Sequence, residues 1–113
     1  MKKDDRVYLL HIRDAIHQIL TYAKDGRDFF RGDKKTQDAV IRQFQVLGEA
    51  TKKLSAQFQN SHGEFPWKTM AGMRDKMVHE YFGIDLELVW DVVDKELPNL
   101  ETKINQLLAG LKT

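Results

Sequence analysis

The chain contains no cysteine. That excludes a disulfide framework, a thiolate nucleophile and any zinc site built on cysteine. Its only serines are Ser55 and Ser61, and neither sits in a nucleophile elbow, so serine-hydrolase chemistry is excluded too. The seven glycines are scattered, and none forms a phosphate-cradling loop. No apolar run approaches the length needed to cross a bilayer. The charged start Met1-Lys2-Lys3-Asp4-Asp5-Arg6 has no apolar signal core behind it, which predicts a cytoplasmic protein without membrane partners. A formal charge of +1 supplies no global attraction to nucleic acid, so any such contact has to be local. What is present is 42% hydrophobic and 31% charged residues, a balance that fits a folded chain rather than a disordered one. At 113 residues it predicts one domain spanning the whole chain.

The dominant period is helical. Leu9, Ile12, Ile16, Ile19, Leu20 and Ala23 fall on one face of a first helix that Gly26 interrupts. Phe29 and Phe30 follow in a short charged connector, read as a single turn docking both aromatics on the core. A second helix begins near Asp33 or Thr36, either a suitable N-cap. Its stripe of Val40, Phe44, Leu47, Thr51, Leu54 and Phe58 runs to the turn residues Asn60-Ser61-His62-Gly63. A third helix takes Pro66 in its first turn and runs to about Phe82, with Gly83 as its stop. Asp85 caps a fourth, carrying Leu86, Val89, Trp90, Val93 and Leu97. The stripe continues through Leu100, Ile104, Leu107 and Leu111, and Pro98 is expected to kink or divide it. No period-two stretch competes, so no sheet is expected. The short connections predict an all-α, up-and-down antiparallel bundle of four to five helices. The last helix either covers the core or contributes to a dimer seam; periodicity does not separate the two.

Chemistry concentrates at Arg74, His79 and Tyr81, spaced R-x4-H-x-Y. Cleaving RNA without a metal needs a base for the ribose 2′-hydroxyl proton, an acid for the leaving 5′-oxygen and a cation for the phosphorane charge. Histidine can serve as base or acid, and arginine offers a planar fork matched to phosphate oxygens. One histidine cannot hold both protonation states at once, whereas two in a dimer can. If all these residues lie on one helix, Arg74 and His79 stand roughly 140° apart, which also favours a site shared across a two-fold axis. Residue types and spacing alone are nevertheless better read plainly, as a solvated arginine, a half-buried histidine and a tyrosine at the rim of the core, because short motifs match by chance.

Other candidates are weaker. His11 and His17 are about 120° apart on the first helix and do not make a metal pair, His62 sits in a turn, and no metal or cofactor is expected. Arg42 and Glu49 share a face of the second helix, as an ion pair or as supports for the site. Glu87, Asp91 and Asp94 form an acidic line. Lys34-Lys35 and Lys52-Lys53 are basic doublets, read chiefly as solubilising residues. Trp67 and Trp90 are core or interface anchors.

Several separated segments resemble the HEPN superfamily, and within it the HepT-like ribonuclease toxins paired with minimal nucleotidyltransferase antitoxins of the MNT type. Thr36-Gln37-Asp38-Ala39-Val40-Ile41-Arg42 and Leu47-Gly48-Glu49-Ala50 resemble that family's second helix. Phe65-Pro66-Trp67-Lys68 and Ala71-Gly72-Met73-Arg74-Asp75 resemble its third. His79-Glu80-Tyr81-Phe82-Gly83-Ile84-Asp85 and Val89-Trp90-Asp91 resemble the exit to the last helices. The resemblance runs from about Thr36 to Leu100. It implies a helical homodimer with a shared cleft, metal-independent endoribonuclease activity on RNA, and Arg74 and His79 as the catalytic pair. It further implies a toxin of a toxin–antitoxin module, silenced when the nucleotidyltransferase adenylylates Tyr81. One departure is Asp75, where many relatives carry asparagine; its carboxylate is placed to hydrogen-bond His79 or to repel RNA. That departure keeps a rival open, a noncatalytic helical module that binds a nucleotidyltransferase or presents a substrate to it.

Overall fold

In the computed structural model, residue 2 and residues 4–79 and 83–111 are described. Helix α1 (Asp5–Tyr22) is followed by the short α2 (Arg27–Gly32), the long α3 (Lys34–Lys53), the short α4 (Ala56–Ser61) and α5 (Trp67–Met77). Two-residue strands β1 (Val78–His79) and β2 (Gly83–Ile84) come next, then α6 (Leu86–Asp91), a π-helical turn at Val92–Glu96, and α7 (Leu97–Gly110). Among the described residues the fold is all-α apart from that one small hairpin, and its long rods form an up-and-down bundle.

Contacts between chain-distant ends set the directions. Asp5 at the start of α1 bonds Ser55 just beyond α3, so those helices run antiparallel. Arg6 donates to the Leu111 carbonyl and His17 meets Glu101, so α7 runs antiparallel to α1. The stripes read from the sequence face one core: Leu9, Ile12, Ile16 and Ile19 of α1, Val40, Phe44 and Leu47 of α3, and Leu97 and Ile104 of α7 are all fully buried.

Gly48 brings α3 against α5. A Cβ placed there would lie 3.0 Å from the Ala71 carbonyl oxygen, so glycine permits this approach of the two backbones without displacing either. The expected caps are present. Asp33 accepts from the Thr36 amide at 3.2 Å, and Asp85 accepts from the Leu88 amide at 3.1 Å.

Four expectations need correction. The second helix does not run unbroken to Phe58. Asp5 takes the Ser55 amide at 2.8 Å, a donor that a continuing helix would have given to the Thr51 carbonyl. Thr51 already turns its own hydroxyl back to the Leu47 carbonyl at 2.8 Å, a contact that bends helices. Ser55 then caps the new helix α4 by accepting from the Phe58 amide at 3.1 Å. Phe29 and Phe30 do not both dock: Phe30 is fully buried and packs on Trp90, while Phe29 is 49% exposed. Pro66 is the N-cap of α5 rather than part of its first turn.

The fourth correction bears on function. α5 stops at Met77, not Phe82, and a hairpin replaces its last turn. Val78, β-branched and suited to a strand, turns to φ −115°, ψ 121°. The Met77 carbonyl accepts from the Asp85 amide at 2.7 Å instead of from a further helical residue. Gly83 supplies the φ of +78° at the return, so it serves the hairpin rather than capping the helix. Pro98 does divide the last rod, through the π turn ahead of α7, where Pro98 stands in the first turn. Its ring would crowd the carbonyl four residues back, that of Asp94, and the wider turn relieves this while burying both Val92 and Val93.

Candidate functional site

Arg74 occupies the last turn of α5, where a cation complements the helix dipole. Its side chain is half-buried. Nη1 lies 3.8 Å from the Asp75 carboxylate, and Nε is wholly buried with no acceptor among the described residues. At 3.8 Å the Asp75 carboxylate is beyond hydrogen-bond distance, so the exposed end of the guanidinium keeps donors for another group.

His79 lies outside α5 altogether. It is the second residue of β1, exposed, and it stands across from Gly83. Cross-strand partners share a face of a hairpin, and a partner without a side chain leaves the flank of the imidazole uncovered. The 140° separation on a common helix therefore does not apply. The helix ends between the arginine and the histidine. Tyr81 lies outside the described residues.

The supporting candidates divide. Asp75 is largely exposed and turned toward Arg74; among the described residues no hydrogen bond joins it to His79. Arg42 and Glu49 are both exposed on α3 and do not pair with each other among the described residues; Glu49 instead accepts from Gln45 at 3.2 Å. Neither makes an ion pair or hydrogen bond with Arg74 or His79 among those residues. The acidic line is likewise split. Glu87 holds Arg27 at 2.6 Å and Arg31 at 3.1 Å, tying α6 to α2, whereas Asp91 faces Lys95. Among the described residues no three His, Asp or Glu side chains are grouped to hold a metal ion, and no helix is long and apolar enough to cross a membrane.

Two features of the site were not anticipated. Gly83 opposite the imidazole was read as a helix stop; the β-branched Val78 ahead of His79 was the available signal for a strand. Gly48 is the second, within Leu47-Gly48-Glu49-Ala50. A glycine within an otherwise strong helical stripe is the mark of a close approach, here to Ala71.

Residues 12–107 match the protein family described as "Ribonuclease HepT-like". Related proteins agree along nearly the whole chain. "Putative RNase MJ0127" of Methanocaldococcus jannaschii is 42% identical over 112 residues, covering 98% of this chain and 93% of that protein. "Probable ribonuclease HepT" of Thermococcus cleftensis is 41% identical over 108 residues, covering 95% and 98%. A longer M. jannaschii protein, "Gamma-glutamylcyclotransferase and putative RNase MJ0434", is 43% identical over 112 residues, and this chain spans 50% of its length. No solved structure matches. With the family pattern covering most of the chain and relatives aligned almost end to end, the chain belongs to the HepT-like ribonuclease family.

Proposed function

We propose that the protein is a metal-independent endoribonuclease acting as a homodimer, with Arg74 and His79 of each copy lining a shared cleft. Arg74 holds the scissile phosphate and the negative charge that develops on it. One neutral His79 takes the proton of the ribose 2′-hydroxyl, and the oxygen so freed attacks phosphorus. The phosphorus–5′-oxygen bond breaks, and a protonated His79 of the second copy gives its proton to the departing oxygen. This proton balance requires two copies, because one imidazole cannot be neutral and protonated at once. The observation that carries the reading is a half-exposed guanidinium without a hydrogen-bond acceptor among the described residues, five residues before an exposed imidazole, in a chain of ribonuclease kin.

Tyr81, two residues after His79, is the proposed site of control. Transfer of AMP to its hydroxyl by a nucleotidyltransferase of the MNT type would add bulk and negative charge beside a phosphate-binding site. In that reading the chain is the toxin of a toxin–antitoxin pair.

The test is incubation of purified, unmodified protein with total RNA and EDTA beside a folded His79→Ala variant. Cleavage by the parent alone is expected. Equal cleavage by both would remove His79 from the mechanism, and intact RNA in both tubes would refute the nuclease. One observation favours the rival, a noncatalytic module for a nucleotidyltransferase: the Asp75 carboxylate faces the guanidinium that should hold phosphate. Growth arrest on expression, relieved by the nucleotidyltransferase, selects the toxin; harmless expression without RNA cleavage selects the rival.

A further inference from the structure

Phe29 is placed where the core gives it no reason to be. α2 buries Phe30 and leaves Phe29 49% exposed, forgoing roughly half of the 1.5–3 kcal/mol that full burial of a phenyl ring contributes. The ring lines an open groove of about 370 Å³ between the end of α1 and the start of α3. Lys24 and Lys35 line the same groove with Tyr22, Thr36 and one carboxylate, Asp25. Neither lysine is in an ion pair among the described residues, whereas neighbouring Arg27, Arg31 and Lys34 all are. Two uncommitted ammonium groups against one carboxylate leave the groove net positive, and Lys35 adds its charge in the first turn of α3, the positive end of that helix.

We infer that this groove is an accessory RNA subsite, separate from Arg74 and His79, that holds one nucleotide of a single strand. The base stacks on the Phe29 ring, and a flanking phosphate sits between Lys24 and Lys35. An exposed aromatic bordered by cations binds single strands in this way because every base offers a π-face and every linkage a negative charge. Charge complementarity favours a phosphate-bearing strand over an apolar protein segment, which would leave both ammonium groups without a counter-charge. The inference rests on RNA being the substrate and says where the strand is gripped beyond the cleavage point.

Binding is measured by fluorescence anisotropy with a labelled, unstructured RNA, using His79→Ala protein so that the probe stays intact. Adding Phe29→Ala is expected to raise Kd about tenfold, with Phe29→Tyr restoring the affinity. Lys24→Gln and Lys35→Gln combined should lower the salt dependence of log K by about 0.7, the share of one phosphate contact on a single strand. Unchanged Kd in the Phe29→Ala protein overturns the subsite. So does unchanged RNA binding accompanied by altered self-association, which would make the groove a protein contact. Cleavage by the otherwise unaltered protein is scored separately. Intact RNA together with Phe29-dependent binding would sink the nuclease and leave the subsite standing; cleavage together with Phe29-independent binding would do the reverse.

Discussion

Asp5 is the residue on which the bundle's geometry is expected to depend most for its size. Its carboxylate is 2% exposed and accepts three hydrogen bonds: from the Ser55 amide at 2.8 Å, the Ser55 hydroxyl at 2.7 Å and the Lys2 amide at 2.9 Å. Hydrogen bonds to a charged group contribute about 1.5–3 kcal/mol each, offset by the cost of burying the charge, and an orphaned buried amide costs about 1–3 kcal/mol. Asp5→Ala should therefore destabilise the fold by about 3 kcal/mol, seen as a fall in Tm of roughly 10 °C. Asp4→Ala, one residue earlier and exposed, should stay within about 0.5 kcal/mol.

The pH dependence has a definite sign. Burial pushes the Asp5 carboxyl up, the Ser55 amide and hydroxyl and the Lys2 amide pull it down, and the net result lies below the ordinary carboxylate value. A lowered folded pKa means stability that is complete above the unfolded value of about 3.9 and drains away as pH falls through the folded one. Urea melts of parent and Asp5→Asn at a series of pH values should show a wide gap at neutrality that narrows only in strong acid. A gap that stays constant from neutrality down through strong acid, or an Asp5→Ala protein as stable as its parent, would refute the reasoning.

Two glycines of the site region should respond with opposite signs. Gly48→Ala gains about 1 kcal/mol of helix propensity but drives a methyl to 3.0 Å from the Ala71 oxygen, and with backbone on both sides the overpacking should prevail, for a net loss of about 1–2 kcal/mol by urea melt. Gly72→Ala, with nothing within 4 Å of the new methyl, should instead stabilise by about 0.5–1 kcal/mol. Phe30→Ala empties a fully buried site beside Trp90 and should cost about 3–5 kcal/mol, with a shift in tryptophan fluorescence reporting the cavity.

The apolar stripes of α1, α3 and α7 were legible because burying one face of a helix leaves a period of three to four, whatever that face packs on. The caps at Asp33 and Asp85 were legible for a similar reason, since a capping side chain bonds an amide only three residues away. The break at Leu54 was not legible. Leu54 and Phe58 continue the stripe without a gap, and the donor that ends the helix is captured by Asp5, fifty residues earlier in the chain. The site was legible as residue types and illegible as geometry. Arg74 through Phe82 suits a helix as well as it suits a helix followed by a hairpin, and the choice rests on the bond from Asp85 to Met77 and the positive φ at Gly83. Phe29 and Phe30 are adjacent and chemically alike, so nothing local says which one Trp90 receives.

Sequence by itself determined the all-helical class, the apolar stripes of α1, α3 and α7 and the family, because each of these is carried by neighbours within a turn or two or by several motifs in fixed order. Tertiary structure alone decided where α3 breaks, that His79 stands on a strand beside a bare glycine rather than on the helix of Arg74, and that one of two adjacent phenylalanines faces solvent. Those outcomes turn on which distant group captures a backbone amide or fills a pocket, and a chain read in order does not hold that information at any one place.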